Sequence, residues 1–130
     1  ARAGEMAAFR LAELGYDPLD ILTVHATAPA APVAGDYETA VARTNDALAY
    51  GGRVHLTVDS EFDRFDELPS TAGEEYGRPF ADIFEAADWD FYEVPESVFA
   101  PAKVTVDVTD GPTESYGRVD EDLLVDSFGL

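Results

Sequence analysis

Arg2 and Glu5 stand three positions apart in a stretch with helical periodicity, which puts a guanidinium and a carboxylate on one helix face. A guanidinium so placed holds a carboxylate ionised and aimed, as a base requires; an ordinary surface ion pair has the same spacing, and spacing alone leaves both open. A second group is Thr44-Asn45-Asp46, followed by Tyr50-Gly51-Gly52. It offers hydroxyl, amide and carboxylate groups just ahead of a glycine pair whose backbone N–H groups can meet a polar ligand. The alternative is that Asn45 and Asp46 cover a solvated face and the glycines only end a helix.

Other chemistry finds less support. His25 and His55 fall on separate strands without HxxxH or HxxE spacing, so a structural role is expected for both and no metal site is predicted. The acidic runs Asp59-Ser60-Glu61, Asp66-Glu67 and Asp120-Glu121-Asp122 lack the spacing of a calcium loop and read as solvated faces. Ser70-Thr71 has no neighbouring base or nucleophile-elbow pattern. No cysteine is present, which excludes disulfides, thiol catalysis and zinc-thiolate sites.

The elements that must position these groups follow from periodicity. Met6, Ala7, Phe9, Leu11 and Leu14 recur at helical spacing over residues 2–14, and Gly15 follows as a cap. Because this pattern starts at once, the chain reads as cut from something longer. Asp17-Pro18 opens a short turn into an apolar run read as a buried strand over 21–26. Residues 26–35, rich in Ala and Pro, form an extended loop whose small side chains allow close backbone approach. Asp36 caps a helix through about Ala49, carrying Tyr37, Ala40, Val41, Ala47 and Leu48 inward.

Val54, Leu56 and Val58 alternate with polar residues as a half-buried strand does. Ser60 is expected to open a short helix with Phe62, Phe65 and Leu68 on one stripe, and Pro79 another helix with Phe80, Ile83 and Phe84 inward. Trp89, Phe91 and Tyr92 read as core. Val104, Val106 and Val108 begin a hairpin turning at Asp110-Gly111-Pro112, and Asp120 caps a last helix anchored to the sheet by Leu123, Leu124 and Phe128. This order predicts an α+β fold, a mixed or antiparallel sheet packed with helices, rather than a doubly wound sheet.

Composition bounds the partners. The 130 residues are one domain's worth, with 27 acidic against 8 basic side chains and a net charge of −19. Nucleic acid and anionic membranes are excluded because phosphate binding needs a Lys/Arg surface. No apolar run is long enough to span a bilayer, and no signal peptide is recognisable. Small domains usually carry a charge magnitude of about 2–8, so −19 implies strong self-repulsion unless salt screens it. At molar salt the Debye length is about 3 Å, which points to a halophilic protein in the cytoplasm of a salt-accumulating cell. Thermal unfolding is expected to come at lower temperature when salt is reduced from molar to about 0.1 M, where the Debye length grows to about 10 Å. Equal stability at both would contradict this reading.

Four segments in order carry a resemblance. They are Arg2-Ala3-Gly4-Glu5 leading to Leu14-Gly15-Tyr16-Asp17; Thr27-Ala28-Pro29 to Pro32-Val33-Ala34; Arg43-Thr44-Asn45-Asp46-Ala47 to Tyr50-Gly51-Gly52-Arg53-Val54; and Leu68-Pro69-Ser70 to Tyr76-Gly77-Arg78-Pro79-Phe80. The pattern continues through Ile83-Phe84, Asp90-Phe91-Tyr92, Phe99-Ala100-Pro101-Ala102 and Val104-Thr105-Val106 to Ser127-Phe128-Gly129. The chain resembles, over its whole length, the C-terminal part of the methenyltetrahydromethanopterin cyclohydrolase family.

The resemblance implies one domain, residues 1–130, of a two-domain enzyme, commonly a homotrimer, that holds a pterin between its domains. It implies hydrolysis of the methenyl bridge of 5,10-methenyltetrahydromethanopterin to the N5-formyl product, a reversible step of one-carbon metabolism and methanogenesis. No cofactor is implied beyond the tetrahydromethanopterin, or related pterin, that carries the carbon. The family's catalytic Arg and Glu land on Arg2 and Glu5, and Thr44, Asn45, Asp46, Gly51 and Gly52 become the expected substrate-binding set. The missing N-terminal part is the expected covalent partner. Ala3 and Gly4 are smaller than the branched residues expected there, and Gly4 weakens the helix by about 1 kcal/mol relative to Ala. The competing readings are an inactive fragment and a small acidic binding domain that shares the fold.

Overall fold

Val54, Leu56 and Val58 on one strand and Val104, Val106 and Val108 on another are all buried, while their alternate neighbours are not. That alternation defines a sheet covered on one face. A computed structural model describes residues 2–73, 76–90, 93–94 and 99–129. Its helices are α1 (Arg2–Leu14), α2 (Tyr37–Gly51), α3 (Phe80–Ala86) and α4 (Glu121–Phe128). Its strands are β1 (Ile21–Thr27), β2 (Arg53–Val58), β3 (Lys103–Val108) and β4 (Thr113–Gly117). They form one sheet in the order β1-β2-β3-β4, with β1 antiparallel to β2, β2 parallel to β3 and β3 antiparallel to β4. The fold is α+β with a mixed sheet.

Helix α1 covers the inner face. Ala3, Ala7, Leu11 and Leu14 join the strand valines, Leu56, Phe65 and Leu68 in one apolar cluster. Gly4 lies against Val24 and Ala26 near the end of β1, and the Tyr16 hydroxyl just past α1 donates to the Ser60 carbonyl beyond β2. The helix therefore runs alongside β2 in the same direction, with its N-terminus at the sheet end where β2 begins. A second cluster, made by Ala42, Ala49 and Tyr50 of α2, Phe80, Ile83 and Phe84 of α3, and Leu124 of α4, lies beside the first. Caps set the helix starts: Asp36 accepts from the Thr39 N–H at 2.9 Å and Asp120 from the Leu123 N–H at 3.1 Å.

Several expectations are corrected. The apolar run at Ile21 forms an edge strand, not a buried one: Leu22 is 51% exposed and the strand has no neighbour on its outer side among the described residues. Tyr37 is 75% exposed because it begins α2 one turn before that helix meets its partners. No α-helix opens at Ser60, whose hydroxyl instead bonds Tyr16 and Asp20; a single 3₁₀ turn, Phe65–Glu67, carries the buried Phe65. Leu123, Leu124 and Phe128 anchor α4 to α2 and α3 rather than to the sheet. Trp89 is half-buried with its ring centroid 5.5 Å from that of Phe84, while Phe91 and Tyr92 lie outside the described residues.

Candidate active site

Gly4 determines how close α1 comes to the sheet. A Cβ there would stand 2.9 Å from Val24 Cγ1 and 3.5 Å from the Ala26 Cβ, so the missing side chain lets the helix backbone lie on β1. Glu5, the next residue, is exposed and lines a groove of about 490 Å³ with Gly4, Ala8, Val24, His25 and Ala26. Its volume lies in the range of small-molecule sites. One turn earlier on the helix, Arg2 is also exposed. The two side chains make no ion pair with one another; the ion pair seen among the described residues is Arg64–Glu67. Both heads are therefore free to meet a third party.

The second group is divided by the fold. Thr44 is exposed and donates its hydroxyl to the Ala40 carbonyl at 2.8 Å, and half-buried Asn45 donates its amide to the Val41 carbonyl at 2.9 Å. These bonds leave their oxygens as acceptors. Asp46 covers no solvated face. It is 0% exposed, accepts from the Phe80 N–H at 2.8 Å at the start of α3, and accepts from the Ser127 hydroxyl on α4. Burial pushes its carboxyl up to about 6, against the lowering effect of those two hydrogen bonds and with a further push from Asp82.

Gly51 and Gly52 are both buried, and internal packing accounts for their missing side chains. A Cβ on Gly51 would stand 2.6 Å from Pro29 Cγ and 2.9 Å from Leu124 Cδ1; one on Gly52 would stand 2.5 Å from the Leu48 carbonyl oxygen. This is the close approach made by the small-residue loop after β1. Gly52→Ala is expected to lower stability by about 1–3 kcal/mol, measured by denaturant unfolding. An unchanged midpoint would show that the backbone yields there.

The N-terminus of α1 and the Gly51-Gly52 pair share one end of the sheet. Gly4 packs on Ala26, Thr27 pairs with Arg53, and Arg53 directly follows the glycine pair. His25, expected to be structural, is exposed; it borders the Glu5 groove on edge strand β1, while its register with His55 turns its side chain to the sheet face away from α1. The polar alternation of Thr23 and His25 with Val24 and Ala26 carried the signal of an uncovered sheet face, but the apolar neighbours masked it. Among the described residues, no group of three or more His, Asp or Glu side chains is placed to hold a metal ion. No helix is long and apolar enough to cross a membrane among them.

The family model described as Cyclohydrolase (MCH) matches residues 1–128. The chain belongs to this cyclohydrolase family. It is 57% identical over 130 residues to the methenyltetrahydromethanopterin cyclohydrolase of Halobacterium salinarum, covering 100% of this chain and 42% of that protein. It is 41% identical over 132 residues to the protein of the same name from Methanocella arvoryzae, covering 99% and 42%. The Rhodopirellula baltica protein, also so named, is 39% identical over 137 residues, covering 100% and 41%. The cyclohydrolase chain thus spans 42% of the length of the first two relatives.

Proposed function

We propose that this chain supplies the catalytic part of a cyclohydrolase that opens the methenyl bridge of 5,10-methenyltetrahydromethanopterin to the N5-formyl product. The observation that carries the reading is Glu5, held at a groove mouth by the contact of Gly4 with β1, in a chain that matches its family over nearly its full length. The substrate's reacting carbon lies between two nitrogens in a cationic amidinium, which accepts water without metal activation. A carboxylate beside it stabilises the cation and takes a proton from the attacking water. The tetrahedral adduct then opens by cleavage of one C–N bond, with the proton delivered to the departing nitrogen. No electron is transferred, so the reaction needs no redox cofactor.

Arg2 is assigned to orient Glu5 once substrate fills the groove. Thr44 and Asn45 are assigned to substrate through their remaining acceptors, and Gly51-Gly52 to shaping that sheet end. Asp46 is assigned there through its grip on α3 and α4. The remainder of the relatives' length is the proposed second wall of the pocket, and a cytoplasmic homotrimer the proposed assembly. The test is to complete the chain with the remainder of the Halobacterium relative and follow loss of the methenyl absorbance. Turnover by the completed protein, with none by the 130-residue chain alone, is the expected result. Binding of the pterin without turnover by the completed protein would contradict the assignment.

A further inference from the structure

The uncovered face of the sheet carries a charge distribution unlike the rest of the molecule. Strand register places its side chains in rows. Thr27, Arg53, Lys103 and Gly117 form the first row, and His25, His55, Thr105 and Ser115 the second. A groove of about 370 Å³ on this face is lined by His25, Thr27, Arg53, His55, Lys103 and Thr105, with Ala26 and Val54. It holds two of the protein's 8 basic side chains and both histidines, and none of its 27 carboxylates. Asp107 sits on the same face but four residues along β3 from Lys103, about 13 Å away, and accepts from Thr113.

Arg53 and Lys103 begin their strands side by side, since the Lys103 N–H donates to the Gly52 carbonyl at 3.0 Å and the two residues are direct partners in the parallel register. Adjacent strands lie about 4.8 Å apart, and like charges facing each other across that gap destabilise a sheet. A chain with such an excess of acid has every means to neutralise this pair, yet neither cation has an ion pair among the described residues. We propose that this face binds a small anionic molecule, a phosphate or carboxylate group of which bridges Arg53 and Lys103. The guanidinium fork meets two oxygens at once, the ammonium adds a point charge, and His25, His55 and Thr27 surround them with further donors.

The surrounding charge of −19 repels a polyanion, whereas a compact anion within reach of two cations is held at short range where salt screens the rest. This site is assigned without reliance on the hydrolase reading. The test is an NMR titration of the protein with pyrophosphate, and separately with malonate, at molar potassium chloride. Saturable shifts confined to Arg53, Lys103, His25 and His55 are expected with at least one of the two, and which one saturates identifies the preferred group.

Arg53→Ala and Lys103→Ala are each expected to weaken binding by about tenfold or more, while Arg10→Ala on the helix side of the sheet leaves it unchanged. Arg53 is exposed and Lys103 partly so, and far-UV circular dichroism checks that each variant is folded. Arg53→Gln serves as a second variant that keeps the side-chain length. Shifts that grow linearly without saturation, or equal affinity in all these variants, would overturn the proposal.

Discussion

Glu5→Gln in the completed cyclohydrolase is expected to reduce kcat by roughly 10²–10⁴-fold, with a smaller rise in KM. The substitution keeps the shape of the side chain and its exposed position on α1, so the groove with Val24, His25 and Ala26 stays intact. It removes the negative charge that faces the amidinium and the one carboxylate among the residues that line that groove. The lost base acts on the transition state, where the water gives up its proton, whereas the lost charge acts on the bound cationic substrate as well. Arg2→Ala is expected to cost less than Glu5→Gln, because Arg2 acts on the orientation of Glu5 and not on the reacting carbon. Arg2→Lys, lacking the planar fork, is expected to restore only part of the loss. Stopped-flow measurement of methenyl absorbance separates kcat from KM for all three variants. A Glu5→Gln enzyme with native kcat would remove the base from the account.

The second large effect concerns Asp46, whose carboxyl ties α2 to the first N–H of α3 and to Ser127 of α4. Folded, this group keeps its proton up to about 6; unfolded, it titrates near its ordinary 3.8. Between those values the folded state binds more protons than the unfolded one, so its contribution to stability is greatest at the acid end and falls as pH rises through the window. About two pH units correspond to a loss on the order of 3 kcal/mol.

Asp46→Asn, which still offers an acceptor to Phe80, is expected to abolish this slope. The variant matches the native protein near pH 4 and becomes the more stable of the two above pH 6. Asp46→Ala orphans the Phe80 N–H and the Ser127 hydroxyl, and is expected to cost about 1–3 kcal/mol for the unpaired groups plus the cavity. Denaturant unfolding of the three proteins at pH 4 and pH 7 checks both effects. The global charge changes with pH in all three, so their difference isolates this one carboxyl. Parallel profiles for native and Asp46→Asn would show that the group is ionised in the fold.

How far the chain could be read without coordinates depends on how local each cause is. The valine alternations at 54–58 and 104–108 were legible because one sheet face is covered and the other is wet, and that difference is written every second residue. The caps at Asp36 and Asp120 were legible for the same reason, since each acts within three residues. Strand β1 was misread: Ile21, Leu22 and Val24 look like core, and nothing local reveals that the sheet ends there. Asp46 is held by partners 34 and 81 residues away, beyond any periodic pattern. The small residues of 26–35 announced a close approach, but not that Pro29 makes it against Gly51. The spacing of Arg2 and Glu5 gave their shared helix face; the groove beside Glu5 needed the packing of α1 on β1.

A crystal structure of the Glu5→Gln variant of the completed protein, soaked with unreacted methenyl substrate, decides whether residue 5 faces the reacting carbon. The methenyl carbon is expected in the groove formed by Gly4, Ala8 and Val24, with the residue 5 side chain holding a water about 3–3.5 Å from that carbon. A substrate seated elsewhere, with the residue 5 side chain turned to solvent, would contradict it.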